Sequence, residues 1–306
     1  MGALYVGVDG GGTSTRAVIV DGGGQECGRG SAGSANPAAA GFDRAVANIR
    51  QAVAQAAQVA GQDLPLAGAW YGLAGVYRPG EKQRLLPQLA DLADRTRLTN
   101  DAELGLAALP GTWGVCLIAG TGSIAVGRDR TGRQARAGGW GHVFGDEGSG
   151  YAMGRAALQA VSRAADGRGP ATALTAAILR AWDLTEPQEI VTRVYPAGDK
   201  ALIAGLAPIV LQQAGEDAVA RWIVSTAAGE LALTALAAAG QLDFSGPVPL
   251  ALVGSLLVAH PALRAAVVRR IRRRRAVAPV VTVPDPALAA AQALARPAGE
   301  GAIDGG

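Results

Sequence analysis

Two segments of this chain share one pattern: an apolar run, a cluster of glycines, and a second apolar run. The first segment covers residues 4–21 and has its glycines at 10–12. The second covers residues 114–127 and has its glycines at Gly120 and Gly122. Short apolar runs that flank a glycine turn predict a hairpin of two β-strands. A chain that forms the same hairpin twice is predicted to contain two domains of similar architecture.

The remaining segments alternate between strand and helix patterns. In the first half, periodicity predicts a strand near 25–31, a helix over 42–60, a strand over 67–74, a helix over 81–93 and a short strand over 98–101. In the second half it predicts helices over 147–165, 172–182, 200–214, 218–239 and 256–275, strands over 248–253 and 280–283, and a closing helix over 287–295. The 306 residues suit two domains, which we place at 1–113 and 114–306. The closing helix is a candidate to pack back on the first domain.

The composition supports buried cores in both domains. Hydrophobic residues make up 49% of the chain and charged residues 17%, a balance that argues against long disordered segments. The net charge of +3 is local, because Arg269, Arg270 and residues 272–275 supply more than the whole surplus. Such a basic run fits either a helix end, where cations complement the dipole, or a nucleic-acid site. No recognisable nucleic-acid module accompanies it, so we favour the helix end.

The two cysteines, Cys27 and Cys116, lie far apart and form no CxxC pair. We therefore expect neither a disulfide framework nor a zinc site, and a reducing compartment fits best. The first residues lack the basic and apolar regions of a signal peptide. The apolar stretch 248–259 is interrupted well short of membrane-spanning length. These features predict a cytoplasmic protein with no membrane or nucleic-acid partner.

The first glycine turn has the composition of a phosphate-binding loop. Glycines at a hairpin tip expose consecutive backbone N–H groups, and such a concave run of donors binds phosphate oxygens. Gly11, Gly12 and Thr13 would supply the donors. Asp9, at the end of the preceding strand, would hold a hydrated Mg²⁺ ion, which prefers oxygen ligands. The same residues also suit an ordinary hairpin turn, and the motif alone does not separate the two interpretations.

The second turn contains Gly120, Thr121, Gly122 and Ser123 and has the same two interpretations. Together the turns indicate more than either does alone. Two phosphate loops that face each other across a cleft can hold one nucleoside triphosphate from both sides. Closure of that cleft would exclude the water that competes for the γ-phosphoryl group.

Asp101 follows the last predicted strand of the first half. Phosphoryl transfer to a hydroxyl group needs a carboxylate that accepts the proton of the attacking oxygen, and a strand end at the mouth of the cleft would provide it. The alternative is structural, because Asn100 or Asp101 could cap a helix that begins at Ala102. Spacing alone leaves both interpretations open.

Residues 138–149 are rich in glycine and also carry Trp140, His142, Asp146 and Glu147. We predict no regular element here. Sugars are bound through apolar faces together with carboxylates and amides, and Trp140 and Asp146 offer both. Glu147 could instead serve as a charge at a helix N-terminus. His142 is interpreted as a structural histidine rather than a base.

These four motifs, in this order and spacing, resemble the N-acetylglucosamine kinase branch of the BadF/BadG/BcrA/BcrD ATPase family. The similarity is strongest over residues 5–15, 34–37, 99–102, 120–123 and 138–150. The resemblance implies an α/β fold with two ribonuclease-H-like (actin-like ATPase) lobes around an inter-domain nucleotide cleft. It further implies an ATP- and Mg²⁺-dependent kinase that acts on the 6-hydroxyl group of N-acetylglucosamine, and a homodimer.

The same resemblance implies roles for individual residues. Thr13 and Thr121 would contact the phosphates of ATP, with Gly11, Gly12, Gly120 and Gly122 beside them, and Gly254 and Ser255 would line the adenine pocket. The sugar would be bound by Asn36, Asp101, Ser123, Gly139, Trp140, Gly141 and Asp146. Asp101 would be the general base, and Asp9 would bind the metal ion.

Two positions depart from the animal kinases of this branch. Ile124 stands where they carry Asn, and Ala74 where they carry Ser. Both changes remove polar contacts near the sugar, so glucosamine and N-acetylmuramic acid remain candidate substrates. The rival function is an activator ATPase of the same family, which drives electrons into a partner enzyme and holds an iron–sulfur cluster through cysteines at a dimer interface. Cys27 and Cys116 fall in predicted strands and do not fit that role.

Overall fold

The computed structural model describes residues 2–76, 79–196 and 198–297, which form two β-sheets of five strands each. The first sheet contains β1 (Tyr5–Gly10), β2 (Thr15–Val20), β3 (Glu26–Ala32), β4 (Gly68–Leu73) and β5 (Thr96–Thr99). The second contains β6 (Gly114–Ala119), β7 (Ser123–Arg128), β8 (Gln134–Gly138), β9 (Val248–Val253) and β10 (Val277–Val283). We call each sheet, with the helices on its outer face, a lobe.

The two sheets have the same topology. Their strand orders are β3-β2-β1-β4-β5 and, read in the same sense, β8-β7-β6-β9-β10. In each, the first three strands are antiparallel neighbours and the last two run parallel to the central strand. The predicted α/β fold with two ribonuclease-H-like lobes is thus confirmed. The domain boundary at residue 113 stays a prediction, and the end of the second predicted domain, residues 298–306, lies outside the described residues.

Helices cover the outer faces and part of the space between the sheets. The first lobe has α1 (Pro37–Ala40), α2 (Phe42–Ala60), α3 (Pro79–Leu85) and 3₁₀ turns at Leu86–Gln88, Ala90–Leu92, Asp101–Ala108 and Pro110–Thr112. The second has α4 (Gly150–Ala165), α5 (Leu174–Trp182), α6 (Glu189–Val194), α7 (Lys200–Ala204), α8 (Ala207–Gln213), α9 (Ala218–Gly240), α10 (Ser255–Ala259) and α11 (Pro261–Arg272). The last described helix is α12 (Pro286–Ala295).

Each sheet has an apolar core on its outer face. In the first lobe, Ile49 and Val53 of α2 belong to one buried cluster with Val8 of β1. In the second, Leu231 of α9 belongs to one cluster with Leu117 of β6. By length and composition α9 could cross a membrane. Its buried residues pack against this sheet instead, as expected of the central helix of a globular core.

A third core lies between the two sheets. Trp70 of β4 and Val253 of β9 pack there with the 3₁₀ helix Asp101–Ala108 and with α12. Gly7 of β1 shows how closely α12 approaches, because an added Cβ atom would lie 1.9 Å from the carbonyl oxygen of Ala287. The closing helix thus packs on the first sheet, although it follows the last strand of the second.

Polar contacts also join the lobes. Glu103, in the 3₁₀ helix, accepts hydrogen bonds from Arg128 and Gln134 of the second sheet. The Arg29 guanidinium on β3 donates to Asp285, which caps α12, over 2.7 Å. The sheets are therefore fixed to each other by both apolar and charged groups.

Several predicted elements are wrong in extent. The helix over 81–93 ends at Leu85 and continues as 3₁₀ turns, the first of which contains Pro87. The helix over 200–214 is interrupted at Gly205. The helix over 256–275 is interrupted at His260, because Pro261 opens a new helix. The helix predicted from residue 147 begins at Gly150, and β8 and α6 were not predicted.

The basic run lies where the helix-end interpretation put it. Arg269, Arg270 and Arg272 occupy the last turn of α11. The Arg270 guanidinium donates to the Ser225 hydroxyl over 2.8 Å, and that of Arg275 donates to a backbone carbonyl over 2.9 Å. Part of the run therefore contributes to packing at the end of this helix.

Candidate active site

The first glycine turn joins β1 to β2 at the end of the central strand. A hydrogen bond of 2.9 Å from the Gly11 amide closes the turn. Gly10 has no room for a side chain, because an added Cβ atom would lie 2.5 Å from a methyl carbon of Leu73. Gly12 and Thr13, at the tip, are exposed. The turn therefore presents its backbone and the side chains of Thr13 and Ser14 to solvent.

The second glycine turn joins β6 to β7 and is supported by the segment that precedes α4. The Ser123 amide donates to Asp146 Oδ1 over 3.2 Å, and the Ser123 hydroxyl donates to the Glu147 carbonyl over 2.7 Å. Asp146 is only 7% exposed. Its carboxylate, predicted to bind the sugar, also holds the turn in place.

The start of α4 holds the carbonyl groups of the same turn. The Gly150 amide donates to the Gly120 carbonyl over 2.8 Å, and the Tyr151 amide donates to the Thr121 carbonyl over 3.2 Å. Ser149 caps α4, and Glu147 lies before the cap, outside the first turn in which it was a candidate N-terminal charge. The second turn and the start of α4 thus form one hydrogen-bonded unit.

Gly254 and Ser255 lie beside the second turn. Gly254 has a φ of +90°, and an added Cβ atom would lie 2.3 Å from the carbonyl oxygen of Ala119. The Ser255 hydroxyl oxygen lies 3.8 Å from where a Cβ atom on Gly120 would stand. The structure thus brings the predicted adenine-side residues next to the predicted phosphate loop.

Asp9 and Asp101 lie close enough for their charges to interact. The pKa of Asp9 is raised to about 6, first by burial and then by the Asp101 carboxylate, while Arg16 acts in the opposite direction. Burial also raises the pKa of Asp101. Two neighbouring carboxyl groups with raised pKa values, one of them at the end of the central strand, are typical of a site that binds a cation or transfers a proton.

Asp101 opens the 3₁₀ helix rather than ending a strand, because β5 ends at Thr99. The side-chain oxygen of Asn100 accepts a hydrogen bond from the Ala102 amide over 3.0 Å, and Asp101 Oδ1 accepts from the same amide over 2.9 Å. Asn100 therefore caps this helix, and the helix does not depend on Asp101 for its cap.

Asn36 lies beside the first turn. Its side-chain oxygen accepts a hydrogen bond from the Ala38 amide over 2.9 Å and so caps α1. Gly75 packs on this side chain, because an added Cβ atom would lie 2.7 Å from the same oxygen. The Ala74 amide donates to the Gly10 carbonyl over 2.7 Å. Asn36 and the 74–75 segment thus lie against the first turn.

The carboxyl edges of the two sheets meet near Asp9. β10 runs parallel to β9 and β6, so its end at Val283 lies at the same edge as the second glycine turn. Asp285 follows two residues later. Its charge raises the pKa of Asp9, and it accepts a hydrogen bond from Arg29 of the first lobe. This arrangement supports a common gap into which both glycine turns open.

The loop after β8 has no regular element, as predicted, and begins against the second turn. The Gly139 amide donates to the Ser123 carbonyl over 3.0 Å. Ile124 packs under Gly139, because an added Cβ atom there would lie 2.6 Å from the Ile124 Cδ1 atom. Trp140 is 65% exposed. Its neighbour His142 makes an edge contact with the ring of Tyr151, in line with a structural role.

Sequence reasoning missed Arg136 as part of this loop. Its guanidinium donates to the carbonyl oxygens of Gly138 and Gly139, and its central carbon lies 5.0 Å from the Trp140 ring centre. Residues 134–138 read Gln-Ala-Arg-Ala-Gly, and their alternation of long polar and small residues is the signal that could have indicated an edge strand.

Two sheets of one topology, each with a glycine turn at the end of its central strand, define a two-lobed protein of the actin-like ATPase class. The structure shows an acidic pair at the edge where the lobes meet, which suits the phosphate chemistry of that class.

The sequence model of the BadF/BadG/BcrA/BcrD ATPase family matches residues 6–292, and the chain belongs to that family. An N-acetylmuramic acid/N-acetylglucosamine kinase from Clostridium acetobutylicum is 37% identical over 53% of this chain and 54% of its own length. An N-acetyl-D-glucosamine kinase from Dictyostelium discoideum is 31% identical over 69% of this chain and 71% of its own length.

Among solved structures, a proposed N-acetylglucosamine kinase from Chromobacterium violaceum is similar along nearly its whole length. It is 29% identical, with a TM-score of 0.71, and the match covers 96% of this chain and 99% of the other. The family predicted from the sequence motifs is therefore confirmed.

Proposed function

We propose that the chain is an ATP-dependent kinase that phosphorylates the 6-hydroxyl group of an amino sugar, with N-acetylglucosamine as the expected substrate. The observation that carries this proposal is the Asp101 carboxyl group, which lies beside Asp9 where the edges of the two lobes meet. The kinase names of the relatives from Clostridium and Dictyostelium support it.

ATP would bind across both glycine turns. Gly11, Gly12 and Thr13 would contact its phosphates from the first lobe, and Gly120, Thr121 and Gly122 from the second. The adenine would lie against Gly254 and Ser255, which pack beside the second turn. Backbone amides in a concave turn suit phosphate oxygens.

A Mg²⁺ ion fits the acidic pair. Burial, and after it the charge of Asp101, raises the pKa of Asp9, and a divalent cation beside Asp9 would favour its charged form. Mg²⁺ is commonly held by one or two carboxylates together with substrate phosphates. Asp9 would be the protein ligand, and the ion would neutralise charge that develops on the transferred phosphoryl group.

The sugar would bind between the lobes. Asn36 and Asp101 would contact it from the first lobe. Ser123, Gly139, Trp140, Gly141 and Asp146 would contact it from the second. In the reaction, the sugar O6 forms a bond to the γ-phosphorus while the bond from that phosphorus to the ADP oxygen breaks. Asp101 accepts the proton of the hydroxyl group. Because burial raises its pKa, Asp101 is a stronger base than an exposed carboxylate.

The residues that border the proposed sugar site bear on which substituents at C2 and C3 of the sugar are accepted. Ile124 packs directly under Gly139 and Ala74 lies against the first turn, so both apolar replacements border the proposed sugar site. Ile124 and Ala74 lack the polar groups of Asn and Ser, and this loss changes how the site discriminates between sugars that differ at C2 and C3. Glucosamine and N-acetylmuramic acid are therefore the alternative substrates to test.

The activator function is the less supported alternative. Cys116 is buried within β6, and the Cys27 thiol donates to the backbone carbonyl of Gln25 within the first sheet. Neither position suits an iron–sulfur cluster shared between two subunits. We further propose a cytoplasmic homodimer without nucleic-acid or membrane partners, which size-exclusion chromatography with light scattering would test for oligomeric state.

The deciding experiment is a coupled ADP-release assay with N-acetylglucosamine, glucosamine, N-acetylmuramic acid, N-acetylmannosamine and glucose. We expect stimulation by N-acetylglucosamine above all others. Stimulation by none of the five, together with a coloured iron-containing protein after anaerobic purification, would favour the activator function instead.

A further inference from the structure

Arg136 lies on the face of β8 that is turned toward the first lobe. In the register of the second sheet it stands opposite Val126, which is buried in the core between the two sheets. Side chains at alternate positions of a strand share one face, so Arg136 and Gly138 lie on the same side as Val126. β8 is the edge strand, and Arg136 is exposed there. Its position is therefore at the rim of the inter-lobe space.

The Arg136 guanidinium binds the turn that leads into the Trp140 loop. Its Nε donates to the Gly138 carbonyl over 3.2 Å, and its Nη2 donates to the Gly139 carbonyl over 2.7 Å. Its central carbon also lies 5.0 Å from the centre of the Trp140 ring, within the range of a cation–π contact. One side chain thus holds both the backbone of the turn and the ring that follows it.

The opposite side of the turn is held by Ile124 and the second glycine turn. The Gly139 amide donates to the Ser123 carbonyl, and the Ile124 side chain fills the space under Gly139. Gly138 and Gly139 have φ values of +70° and +69°, and two consecutive glycines have unusual freedom to leave such a conformation. Arg136 and Ile124 restrict that freedom from two sides.

We propose that Arg136 is a positioning residue that sets the orientation of the Trp140 ring against the sugar. This inference rests on the proposed function, in which Trp140 contacts the substrate. Arg136 acts through the turn and the ring and does not itself touch the sugar. Lysine cannot replace it fully, because an ammonium group lacks the planar fork that reaches two carbonyl oxygens at once.

The kinetic test compares Arg136→Ala and Arg136→Lys with Arg130→Ala. Arg130 is the matched control, because its guanidinium lies 4.4 Å from the ring of Trp113, away from the loop. We expect Arg136→Ala to raise the sugar KM about tenfold, as loss of an oriented aromatic contact would. The KM for ATP should be unchanged, and kcat should change much less. Arg136→Lys should recover part of the affinity, and Arg130→Ala should match the wild type.

A second test follows the ring without turnover. Trp222 is the other strongly exposed tryptophan among the described residues, at 65% exposure. In a Trp222→Phe background, Trp140 is therefore the most exposed of the four remaining tryptophans and the one most open to quenching. We expect Arg136→Ala to increase acrylamide quenching in that background. If the wild type phosphorylates none of the sugars, the proposed function fails, while this comparison still shows whether Arg136 holds the ring.

Two results would overturn the proposal. One is an unchanged sugar KM and unchanged quenching in Arg136→Ala. The other is a loss confined to carboxylate-bearing sugars such as N-acetylmuramic acid, with N-acetylglucosamine unaffected, because the guanidinium would then bind the ligand directly.

Discussion

The two glycine turns occupy the same place in their sheets but differ in how their tips are held. In the second turn, Thr121 at the tip accepts a hydrogen bond from the start of α4, and Ser123 donates to Asp146. In the first turn, the backbone bonds involve Gly10, Gly11 and Ser14, on either side of the exposed tip at Gly12 and Thr13. The second turn is therefore pre-formed, whereas the tip of the first is free to adjust.

This difference affects how much conformational entropy each turn loses when a ligand binds. A loop that is already bonded to a packed helix loses little entropy when a ligand binds. A loop with a free tip becomes ordered by the ligand and loses conformational entropy on binding. We therefore expect changes to the groups that hold the second turn, such as Asp146, to affect stability and activity together, and changes at the exposed tip of the first turn to affect nucleotide binding alone.

The largest effect is expected at Asp101, whose charge acts on Asp9. Asp101→Asn should lower kcat by about 10²- to 10⁴-fold, because amide nitrogen and oxygen cannot accept the hydroxyl proton as a carboxylate does. Both ligands should still bind, as isothermal titration would show. Asp91→Asn, on an exposed carboxylate of the same lobe that pairs with Arg50, is the control. Near-normal turnover in Asp101→Asn would reject Asp101 as the base.

The second effect is a pH dependence of stability at the first turn. The pKa of Asp9 rises from 3.8 to about 6 on folding, so the folded chain binds this proton more tightly than the unfolded chain does. The free energy of unfolding should therefore fall as pH rises from about 4 to about 6, by about 3 kcal/mol from Asp9. Urea titrations of the ligand-free protein would measure this fall.

Asp9→Asn should flatten that pH dependence, because the substituted side chain does not titrate. It should also weaken Mg²⁺ binding, since an amide is a poorer ligand than a carboxylate. The same steep fall in Asp9→Asn as in the wild type would show that another group titrates.

The third effect tests the support of the second turn. Asp146→Ala removes the acceptor of the Ser123 amide and places alanine at a φ of +59°, which favours glycine, asparagine or aspartate. We expect a loss of about 1–3 kcal/mol in stability, because a buried donor is left unpaired. The value of kcat/KM for both substrates should fall with it.

Asp146→Asn is the matched control for this variant. Asparagine tolerates the same backbone conformation and keeps an acceptor oxygen, so most of the stability should remain. Equal destabilisation by both substitutions would show that the charge of Asp146, rather than its hydrogen bond, holds the turn.

Local patterns predicted much of the fold, because the strands and α2 carry their own signals. The glycine hairpins and the helix ended by Gly61 need no long-range information. The interruption between α7 and α8 at Gly205 and the edge strand β8 depend on contacts with elements distant in sequence. A short stretch of sequence does not contain those contacts. The architecture of the second lobe was predicted because its first hairpin repeats the pattern of the first lobe, and not from sequence identity between the two lobes.

The site divides in the same way. Asp9 and the two turns were predicted because each stands at the end of an apolar run, and Asp101 because it closes a short predicted strand. The support that Asp146 gives to the second turn was not predicted, since its bond to Ser123 spans a strand and a loop. Arg136 was missed because its importance depends on the conformation of Gly138 and Gly139, which sequence does not show.

The smallest effect is expected at Thr13 and Thr121, and it gives the sharpest test of the comparison between the two glycine turns. Both hydroxyl groups are exposed at the turns. If the turns hold one nucleotide, Thr13→Ala and Thr121→Ala should each raise the KM for ATP, by about tenfold, with little change in melting temperature. The sugar KM should stay constant at saturating ATP. The double variant should lose about the product of the two effects, because distant contacts to one ligand add as free energies. An increase confined to one of the two variants would mean that the turns serve different ligands, and the shared nucleotide would have to be abandoned.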